Sequence, residues 1–337
     1  MRSFQIRGKL DGALVESPMA EPVEGEVRLK IAYVGICGSD LHYYFDGANG
    51  AFVVKEPLIP GHELSGVVDL DPSGEFKVGT KITLHPAKFG EVQPGLEDKR
   101  HLWPSGGYLG SASTWPHTQG AMSEYFIARK DSIRILPDSI SLNLAALAEP
   151  LGVAIHAINV AGSVKDKEVL VSGSGPIGLM VIAGAKVLGA RNVTATDVID
   201  SALTRAKDLG ANSVINVSST NIPENSFDVV FECSAAAPAL TSALLAVKRA
   251  GIVVQVGMMS AELQKIGIAP VVAKEIQIRG SFRFNSEIDD AISMLSKNEW
   301  IGKAISHTFP LEEVIPAFEV AKDSGKSGKV LVQVSAI

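Results

Sequence analysis

The chain has 337 residues, of which 46% are hydrophobic and 20% charged, and its formal net charge is -6 at pH 7. This length predicts two domains, and the acidic balance excludes the basic surface that a nucleic acid or an anionic membrane would require. The sequence has neither a transmembrane run nor the apolar segment of a secretory signal, so we expect a cytoplasmic protein. Its two cysteines, Cys37 and Cys233, are too few for a disulfide framework.

The first 135 residues consist of short apolar stretches separated by Gly, Pro and Asp turns. Examples are EVRLKIAYVG, SGVVDL, KITLHP and MSEYFIAR. Stretches of this length, bounded by turn residues, are typical of strands. The pattern predicts a β-rich first domain.

In this first part, the side chains that can bind a metal lie in three groups. Residues 35–44 read GICGSDLHYY and include the thiol of Cys37; His62 and Glu63 follow in PGHE, and Glu149 lies in AEP. A thiolate, an imidazole and a carboxylate form a credible catalytic zinc site with one position open for water or substrate. The alternatives are a small buried hydrophobe at Cys37, a structural histidine at His62, and acids that only support the ligands at Glu63 and Glu149.

From Glu168 the sequence alternates between strands and helices. The strand-like stretches are EVLVSGSG, NVTATD, SVINV and FDVVFECSA. Helix-like stretches such as IGLMVIAGAKVLGA separate them. This alternation predicts a doubly wound parallel sheet of the Rossmann type at residues 150–285. The tail adds a helix, EIDDAISMLSKNEW, and a strand, GKVLVQV, that returns to the first domain. We therefore expect an α/β protein whose β-rich domain comprises residues 1–149 and 286–337.

A glycine-rich turn joins the first of these strands to the following helix. Gly173, Gly175 and Gly178 match Gly-x-Gly-x-x-Gly, a pattern that binds the pyrophosphate of a dinucleotide at the helix N-terminus. Asp197 ends the next strand, where a carboxylate can bind the ribose hydroxyls, so we expect NAD rather than NADP. The alternative is a turn that serves only packing. We expect cofactor contacts on this turn, at the end of the next strand, and at the ends of the strands IVVQVGM and EIQIRGSF. They are Gly173, Gly175, Pro176, Ile177, Gly178, Asp197, Val256, Gly257, Met258, Ser281 and Phe282.

Five motifs in fixed order resemble one enzyme family over nearly the whole chain. The sequence is similar to the zinc-dependent medium-chain dehydrogenases, in the branch of sorbitol dehydrogenase and L-idonate 5-dehydrogenase. The motifs that carry this similarity are GICGSDLHYY, PGHE, AEPLGVAIHA, GSGPIG and GSFRFNSE. DLHYY together with GSFRF resembles the latter enzyme most. The resemblance implies a GroES-like fold for the β-rich domain, one catalytic zinc, NAD, and oxidation of a secondary hydroxyl, with conversion of L-idonate to 5-ketogluconate as the expected reaction.

The resemblance also implies roles for individual residues of the metal site. Cys37, His62 and Glu63 match the zinc ligands of this branch. Glu149 matches an acid that binds zinc directly or through its water and thereby takes part in catalysis. The alcohol proton is expected to reach solvent through Ser39 and His42.

Three residues match substrate-pocket positions of the branch: Tyr43, Arg283 and Phe284. Sorbitol dehydrogenases have Tyr in place of Phe284, and the lost phenol argues for a different polyol. Arg283 could bind a substrate carboxylate through two hydrogen bonds. Its alternative is an ion pair with a nearby acid of the protein.

Many relatives hold a second, structural zinc with four cysteines in a lobe that corresponds to residues 86–108. This stretch contains no cysteine, so we expect a single zinc per chain. Rival interpretations are a sorbitol or xylitol dehydrogenase, a zinc-free quinone or enoyl reductase, and a nucleotide-binding protein without catalysis. We expect a small-molecule substrate and a homo-oligomer, either dimer or tetramer. We interpret the other histidines as structural, with His117 as a candidate for lining the pocket.

Overall fold

Strands dominate the first part of the chain, and strands alternate with helices in the second, in a computed structural model that describes residues Met1 to Ile337. The strands are β1 (Arg2–Gly8), β2 (Asp11–Glu16), β3 (Glu26–Gly35), β4 (Ala48–Asn49), β5 (Phe52–Val53), β6 (Glu63–Leu70), β7 (Lys81–Leu84), β8 (Ala87–Lys88), β9 (Gly107–Tyr108), β10 (Tyr125–Arg129), β11 (Ile133–Ile135), β12 (Glu168–Ser172), β13 (Asn192–Asp197), β14 (Ser213–Asn216), β15 (Phe227–Glu232), β16 (Val247–Gln255), β17 (Gln277–Gly280), β18 (Ile305–Pro310) and β19 (Lys329–Gln333). The α-helices are α1 (Gly38–Asp46), α2 (Leu142–Ala145), α3 (Ala148–Ala161), α4 (Pro176–Val187), α5 (Asp200–Asp208), α6 (Ala237–Ala246), α7 (Ala269–Ala273), α8 (Ile288–Lys297) and α9 (Val314–Lys322). Short 3₁₀ helices lie at Arg100–Leu102, Lys130–Ser132, Glu299–Ala304 and Leu311–Glu313.

The chain divides into two compact units. The first contains Met1–Glu149, Ala291–Asp323 and Lys329–Ile337, and the second contains Pro150–Asp290 and Ser324–Gly328. No helix is both long enough and apolar enough to span a membrane.

Two short segments lie outside the domain to which the sequence analysis assigned them. Residues 286–290 and 324–328 both belong to the second unit, whereas they were expected in the β-rich domain. The first segment is held by Glu287, which accepts hydrogen bonds from helix α3 within the second unit. The second is held by Ser201, whose hydroxyl donates to the carbonyl oxygen of Gly325 at 2.6 Å.

A seven-stranded sheet with β3 as its central strand forms the first unit. The strand order is β11-β7-β6-β3-β19-β18, and β10 pairs with the first half of β3. Alternate residues of β3 are buried, among them Val27, Leu29 and Ile31, as expected for a strand with one face on the core. GKVLVQV forms β19 and pairs with β3, which confirms the predicted return of the tail.

The second unit contains a six-stranded sheet in which every neighbouring pair is parallel. Its order, β14-β13-β12-β15-β16-β17, is the 3-2-1-4-5-6 arrangement of a doubly wound dinucleotide-binding domain. β12 and β15, at the middle, are almost entirely buried, which explains their continuous apolar sequences. The predicted α/β class is confirmed, and the crossing between β12 and β15 places the ligand-binding edge at their carboxyl ends.

Candidate metal and cofactor sites

The turn that carries Cys37 connects β3 to α1 and is fixed by a buried carboxylate. Asp40, in the first turn of α1, is fully buried. It accepts hydrogen bonds from the backbone N–H of Cys37 at 2.9 Å and from that of Gly61 at 3.1 Å. One side chain therefore joins the Cys37 turn to the turn before His62. Sequence analysis missed this role, although an acid three residues into a helix is a known capping signal.

The turn at His62 and Glu63 depends on two glycines. Gly61 has φ +96°, a left-handed conformation that other residues rarely adopt. Gly35 lies opposite Glu63 in the β3–β6 register, and a Cβ atom there would lie 2.1 Å from Glu63 Oε2. The missing side chain of Gly35 thus leaves the space in which the Glu63 carboxylate lies.

The structure brings Cys37, His62 and Glu63 together, with one potential ligand atom from each lying within 4.8 Å of the others. His62 and Glu63 are buried, and His62 Nδ1 and Glu63 Oε2 have no hydrogen-bond partner. Buried polar atoms without partners are costly, so a ligand is expected between them. A thiolate, an imidazole and a carboxylate suit zinc, which would act as a Lewis acid on an alcohol bound at its open position.

The electrostatics of this group also favour a bound cation. Burial would lower the pKa of His62, but negative charge on Cys37, Glu149 and Asp40 outweighs that effect and raises it to about 10. Burial raises the pKa of Asp40 and of Glu149. The site therefore concentrates acidic groups out of water, an arrangement that a divalent ion would stabilise.

Lys329 places a positively charged ammonium group at this site. It is 2% exposed, and its Nζ donates to Glu63 Oε1 at 2.6 Å and to the carbonyl oxygen of Ile36 at 3.0 Å. Burial lowers the pKa of Lys329, but Glu63 and Cys37 overcome this and raise it. Lys329 was not predicted, although a lysine at the start of the apolar strand GKVLVQV is an unusual residue for a buried position.

Glu149 lies in the first turn of α3 and is 5% exposed. Tyr108 donates a hydrogen bond from its hydroxyl to Glu149 Oε1 at 2.6 Å, and the Tyr108 ring lies edge-on to His62, 5.3 Å between centroids. Glu149 is not among the three residues whose ligand atoms cluster most tightly. Contact of Glu149 with the metal, either directly or through a water, stays a prediction.

The two residues expected to relay a proton lie on helix α1, one turn apart. Ser39 is half-buried, and His42 is exposed, with its Nδ1 2.9 Å from Asp46 Oδ2. Positions three apart on a helix are neighbours on its surface. A path from Ser39 near Cys37 to an exposed imidazole is therefore compatible with α1.

Two of the three residues predicted to contact substrate are almost fully buried. Tyr43 is 1% exposed, and its hydroxyl accepts a hydrogen bond from the Ala112 N–H at 3.0 Å and lies 3.2 Å from Ser111 Oγ. Phe284 is also 1% exposed. Both aromatic rings are buried in their units, and their contact with a substrate stays a prediction. Arg283 is half-buried, with its guanidinium 4.8 Å from the Phe282 ring centroid.

The cysteine-free lobe is organised by aromatic side chains. Trp103 donates from its indole N–H to the carbonyl oxygen of Leu96 at 2.8 Å, and the Arg100 guanidinium lies 3.9 Å from the centre of the Phe89 ring. Leu102, by contrast, is 43% exposed. A stacked cation and a tryptophan are therefore the local anchors of this lobe.

The glycine turn after β12 has the geometry of a phosphate-binding turn. Gly173 has φ +91° and lies so close to Ser234 that a Cβ atom would be 2.8 Å from the Ser234 N atom. At Gly178 a Cβ atom would lie 1.9 Å from the Gly173 carbonyl oxygen. At Gly175, by contrast, a Cβ atom would meet nothing within 4 Å. Two glycines therefore serve packing, and Gly175 leaves open space where a pyrophosphate approaches the start of α4.

Asp197 ends β13 beside this turn. Its carboxylate accepts hydrogen bonds from the backbone N–H groups of Ser174 at 2.8 Å, Val198 at 2.8 Å and Ile199 at 3.0 Å. The acid is thus held in place before any ribose arrives. The remaining predicted cofactor residues follow the carboxyl ends of β16 and β17, namely Val256, Gly257, Met258, Ser281 and Phe282.

Glu232, at the end of β15, was not predicted from sequence. It is fully buried and accepts hydrogen bonds from the Ser234 N–H at 2.8 Å and from Gln255 Nε2 at 2.6 Å. Ser234 is the residue against which Gly173 packs. The carboxylate therefore supports the loop opposite the phosphate turn. The adjacent Cys233 is half-buried; burial of its thiol, together with the charge of Glu232, raises its pKa, which disfavours the nucleophilic thiolate.

The fold and these side chains define a zinc-binding dehydrogenase, and comparison with known proteins agrees. Residues 23–138 match the family described as "Alcohol dehydrogenase GroES-like domain", and residues 176–297 match "Zinc-binding dehydrogenase". L-idonate 5-dehydrogenase (NAD(P)(+)) of Escherichia coli is 33% identical over 98% of this chain and 97% of its own. Its crystal structure superposes with a TM-score of 0.93 at 31% identity, covering 99% of this chain and 98% of that one.

Two other relatives point the same way. Bovine sorbitol dehydrogenase is 34% identical over 98% of this chain and 95% of its own. An alcohol dehydrogenase from Escherichia coli, solved in complex with NADH, is 27% identical with a TM-score of 0.89 and covers 99% of both chains. The chain therefore belongs to the zinc-dependent medium-chain dehydrogenase family. It is an NAD-dependent oxidoreductase of the polyol dehydrogenase type, with zinc as its metal.

We predict one zinc per chain, bound through Cys37. Replacing Cys37 with Ser should remove most of the zinc and abolish alcohol oxidation, because a hydroxyl is a far weaker zinc ligand than a thiolate. The glycine turn is untouched, so NADH should still bind. Metal analysis and NADH fluorescence titration of both proteins test this, with Cys233→Ser as the matched control. Two zincs per wild-type chain, or full activity of zinc-free Cys37→Ser, would contradict the prediction.

The Glu63–Lys329 pair should contribute strongly to stability. Lys329→Met leaves the Glu63 carboxylate buried without its partner and should lower the free energy of unfolding by about 3 to 5 kcal/mol. Lys329→Arg should retain much of that energy, and the exposed substitution Lys303→Met should change it by less than about 1 kcal/mol. Urea unfolding of the three variants measures the differences. Equal stability of Lys329→Met and wild type would show that the pair is not stabilising.

NAD should be preferred over NADP because the Asp197 carboxylate would repel a phosphate on the ribose. Asp197→Asn removes the charge and retains one oxygen acceptor, so it should narrow the ratio of the two kcat/KM values, chiefly by weakening NAD. Steady-state rates with both cofactors provide the ratio. A wild-type enzyme equally efficient with NADP would refute the assignment.

Proposed function

We propose that the chain oxidises a secondary hydroxyl of a small aldonate or polyol with NAD, and that L-idonate, converted to 5-ketogluconate, is its preferred substrate. The observation that carries the proposal is the convergence of Cys37, His62 and Glu63, with two buried atoms that lack partners. A zinc-free reductase would have no use for this set of ligands. A protein that only binds nucleotide would have no use for it either.

In the proposed reaction, Cys37, His62 and Glu63 would hold zinc, which would supply Lewis-acid activation of the substrate hydroxyl. Glu149, fixed by Tyr108, would lie beside the metal site. Ser39 would accept the alcohol proton, and His42 would release it to solvent. The hydride would pass to NAD held by the Gly173–Gly178 turn and Asp197.

Selection of an aldonate is proposed to depend on Arg283. A guanidinium can bind a carboxylate with two parallel hydrogen bonds, whereas an alditol offers only hydroxyls. The relative named L-idonate 5-dehydrogenase, at 33% identity, adds support for the acid substrate.

A second candidate is a sorbitol or xylitol type of polyol dehydrogenase. It is favoured by the similarity to sorbitol dehydrogenases, 34% identical in the bovine enzyme. The substrate of such an enzyme has no carboxylate, so Arg283 would have no role in binding it. The two candidates therefore differ in what Arg283 does. The proposed assembly into a dimer or tetramer does not distinguish between the two candidate functions.

L-idonate should outperform sorbitol by kcat/KM, and Arg283 should account for the difference. Arg283→Gln should raise the KM for L-idonate by about tenfold or more, the effect expected from loss of a charged hydrogen bond, with a smaller change for sorbitol. Arg283→Lys, which keeps the charge without the two-point geometry, should lie between. Steady-state kinetics on both substrates tests this. Equal efficiencies, together with equal effects of Arg283→Gln on both substrates, would favour the sorbitol-type enzyme.

A further inference from the structure

A buried carboxylate lies four residues beyond Arg283 and uses both of its oxygens. Glu287 is 8% exposed. Its Oε1 accepts hydrogen bonds from His156 Nδ1 at 2.7 Å and Asn159 Nδ2 at 3.4 Å. Its Oε2 accepts from the backbone N–H groups of Asn285 at 2.7 Å and Ser286 at 3.0 Å. We call Glu287, His156 and Asn159 the Glu287 clamp.

The clamp attaches the turn to one face of α3. Gly152, His156 and Asn159 are spaced by four and three residues, so they form a stripe on that helix. Phe284 packs at the first of these positions, where a Cβ atom on Gly152 would lie 3.4 Å from the ring. The backbone from Phe284 to Glu287 is thus fixed along α3 by an aromatic contact at one end and a carboxylate at the other.

Arg283 itself has an unusual backbone. Its φ is +51°, a left-handed conformation that is unfavourable for a residue with a side chain. Such conformations persist only where neighbouring contacts enforce them, and they concentrate at binding sites. The contacts of the clamp begin two residues after Arg283, which is close enough to set the direction in which its side chain leaves the turn.

Hydrogen bonds to the carboxylate keep the clamp ionised. Burial alone would raise the pKa of Glu287, but the hydrogen bond and charge of His156, together with backbone N–H groups, lower it to about 2. A carboxylate that accepts several such bonds forms a strong, charge-assisted anchor. The Glu287 carboxylate is therefore ionised at any pH well above this value.

We propose that Glu287 and His156 are positioning residues for substrate recognition: they hold the Arg283 turn so that the guanidinium is oriented for the substrate carboxylate before binding. The inference rests on the proposed function, since it assigns a purpose to the orientation of Arg283. Orienting a binding group in advance increases affinity because less ordering remains to be done on binding. The clamp acts through Arg283 and touches neither zinc nor the glycine turn.

The test combines substrate kinetics with two readouts that do not depend on activity. Glu287→Gln replaces one acceptor oxygen with an amide and should raise the KM for L-idonate by about tenfold, with a much smaller effect on the KM for sorbitol. His156→Leu should act in the same direction, and His156→Asn, whose amide can replace the Nδ1 donor, should restore most of the loss. Zinc content and the NADH dissociation constant should stay within about twofold of wild type.

Asp290→Asn is the matched control, because it makes the same change of charge on helix α8 outside the clamp. A structural role alone would lower stability without separating the two substrates. If Glu287→Gln does not fold, the two His156 variants test the same hydrogen bond. Equal effects of the clamp variants on L-idonate and sorbitol, or no effect on either, would overturn the proposal.

The double variant Arg283→Gln/Glu287→Gln separates this inference from the proposed function. If Glu287 acts through Arg283, the double variant should be no worse toward L-idonate than Arg283→Gln alone. Full additivity would overturn the clamp proposal and leave the role of Arg283 intact. An Arg283→Gln enzyme with an unchanged KM for L-idonate would instead refute the carboxylate assignment, and the clamp proposal with it.

Discussion

The buried ion pair between Lys329 and Glu63 is the constraint on which the metal site depends. Both side chains are almost completely excluded from solvent, and their charged atoms are 2.6 Å apart. Burying an isolated charge costs several kcal/mol, so neither residue could be placed there without the other. Lys329 engages only Oε1 of Glu63 and leaves Oε2 without a partner. The lysine therefore makes burial of the carboxylate possible and leaves one oxygen available to a metal.

The geometry of this pair follows from the order of three adjacent strands. β3 lies between β6 and β19, and its last residue, Gly35, is in register with Glu63 on one side and Leu331 on the other. Lys329 begins β19, two residues before Leu331. The tail of the chain thus brings a cation to residues that lie 266 positions earlier. The entropic cost of closing a loop grows only slowly with its length, so this long loop costs little more to close than a shorter one.

Sequence predicted the local features well because short motifs determine them. The glycine turn and the convergence of Cys37, His62 and Glu63 depend on residues near one another in sequence or on a recognisable family pattern. Lys329 could not be paired with Glu63 from sequence, since the pairing depends on strand order. Tyr43 and Phe284 were expected to face substrate, yet both are buried. Aromatic residues serve packing and binding equally well, and the sequence around them does not distinguish the two. Likewise, the boundary at 285 was placed too early because the contact of Glu287 with α3 is a tertiary one.

A single device recurs at the functional turns of both units. Asp40, Glu232 and Glu287 each direct carboxylate oxygens at backbone N–H groups of a turn, and Asp197, the residue proposed to bind the ribose, accepts the same kind of hydrogen bond. Turns have N–H groups that no strand or helix partner satisfies, and an ionised carboxylate is their strongest acceptor in a protein. Each turn is therefore formed before metal, cofactor or substrate binds, which reduces the entropy lost on binding. From sequence alone an acid of this kind cannot be told from a catalytic one, because both lie beside the reactive residues. In the structure, Asp40, Glu232 and Glu287 are recognised as acids that shape a site because their carboxylates face the backbone of nearby turns, whereas Asp197 combines that contact with its proposed role in binding ribose.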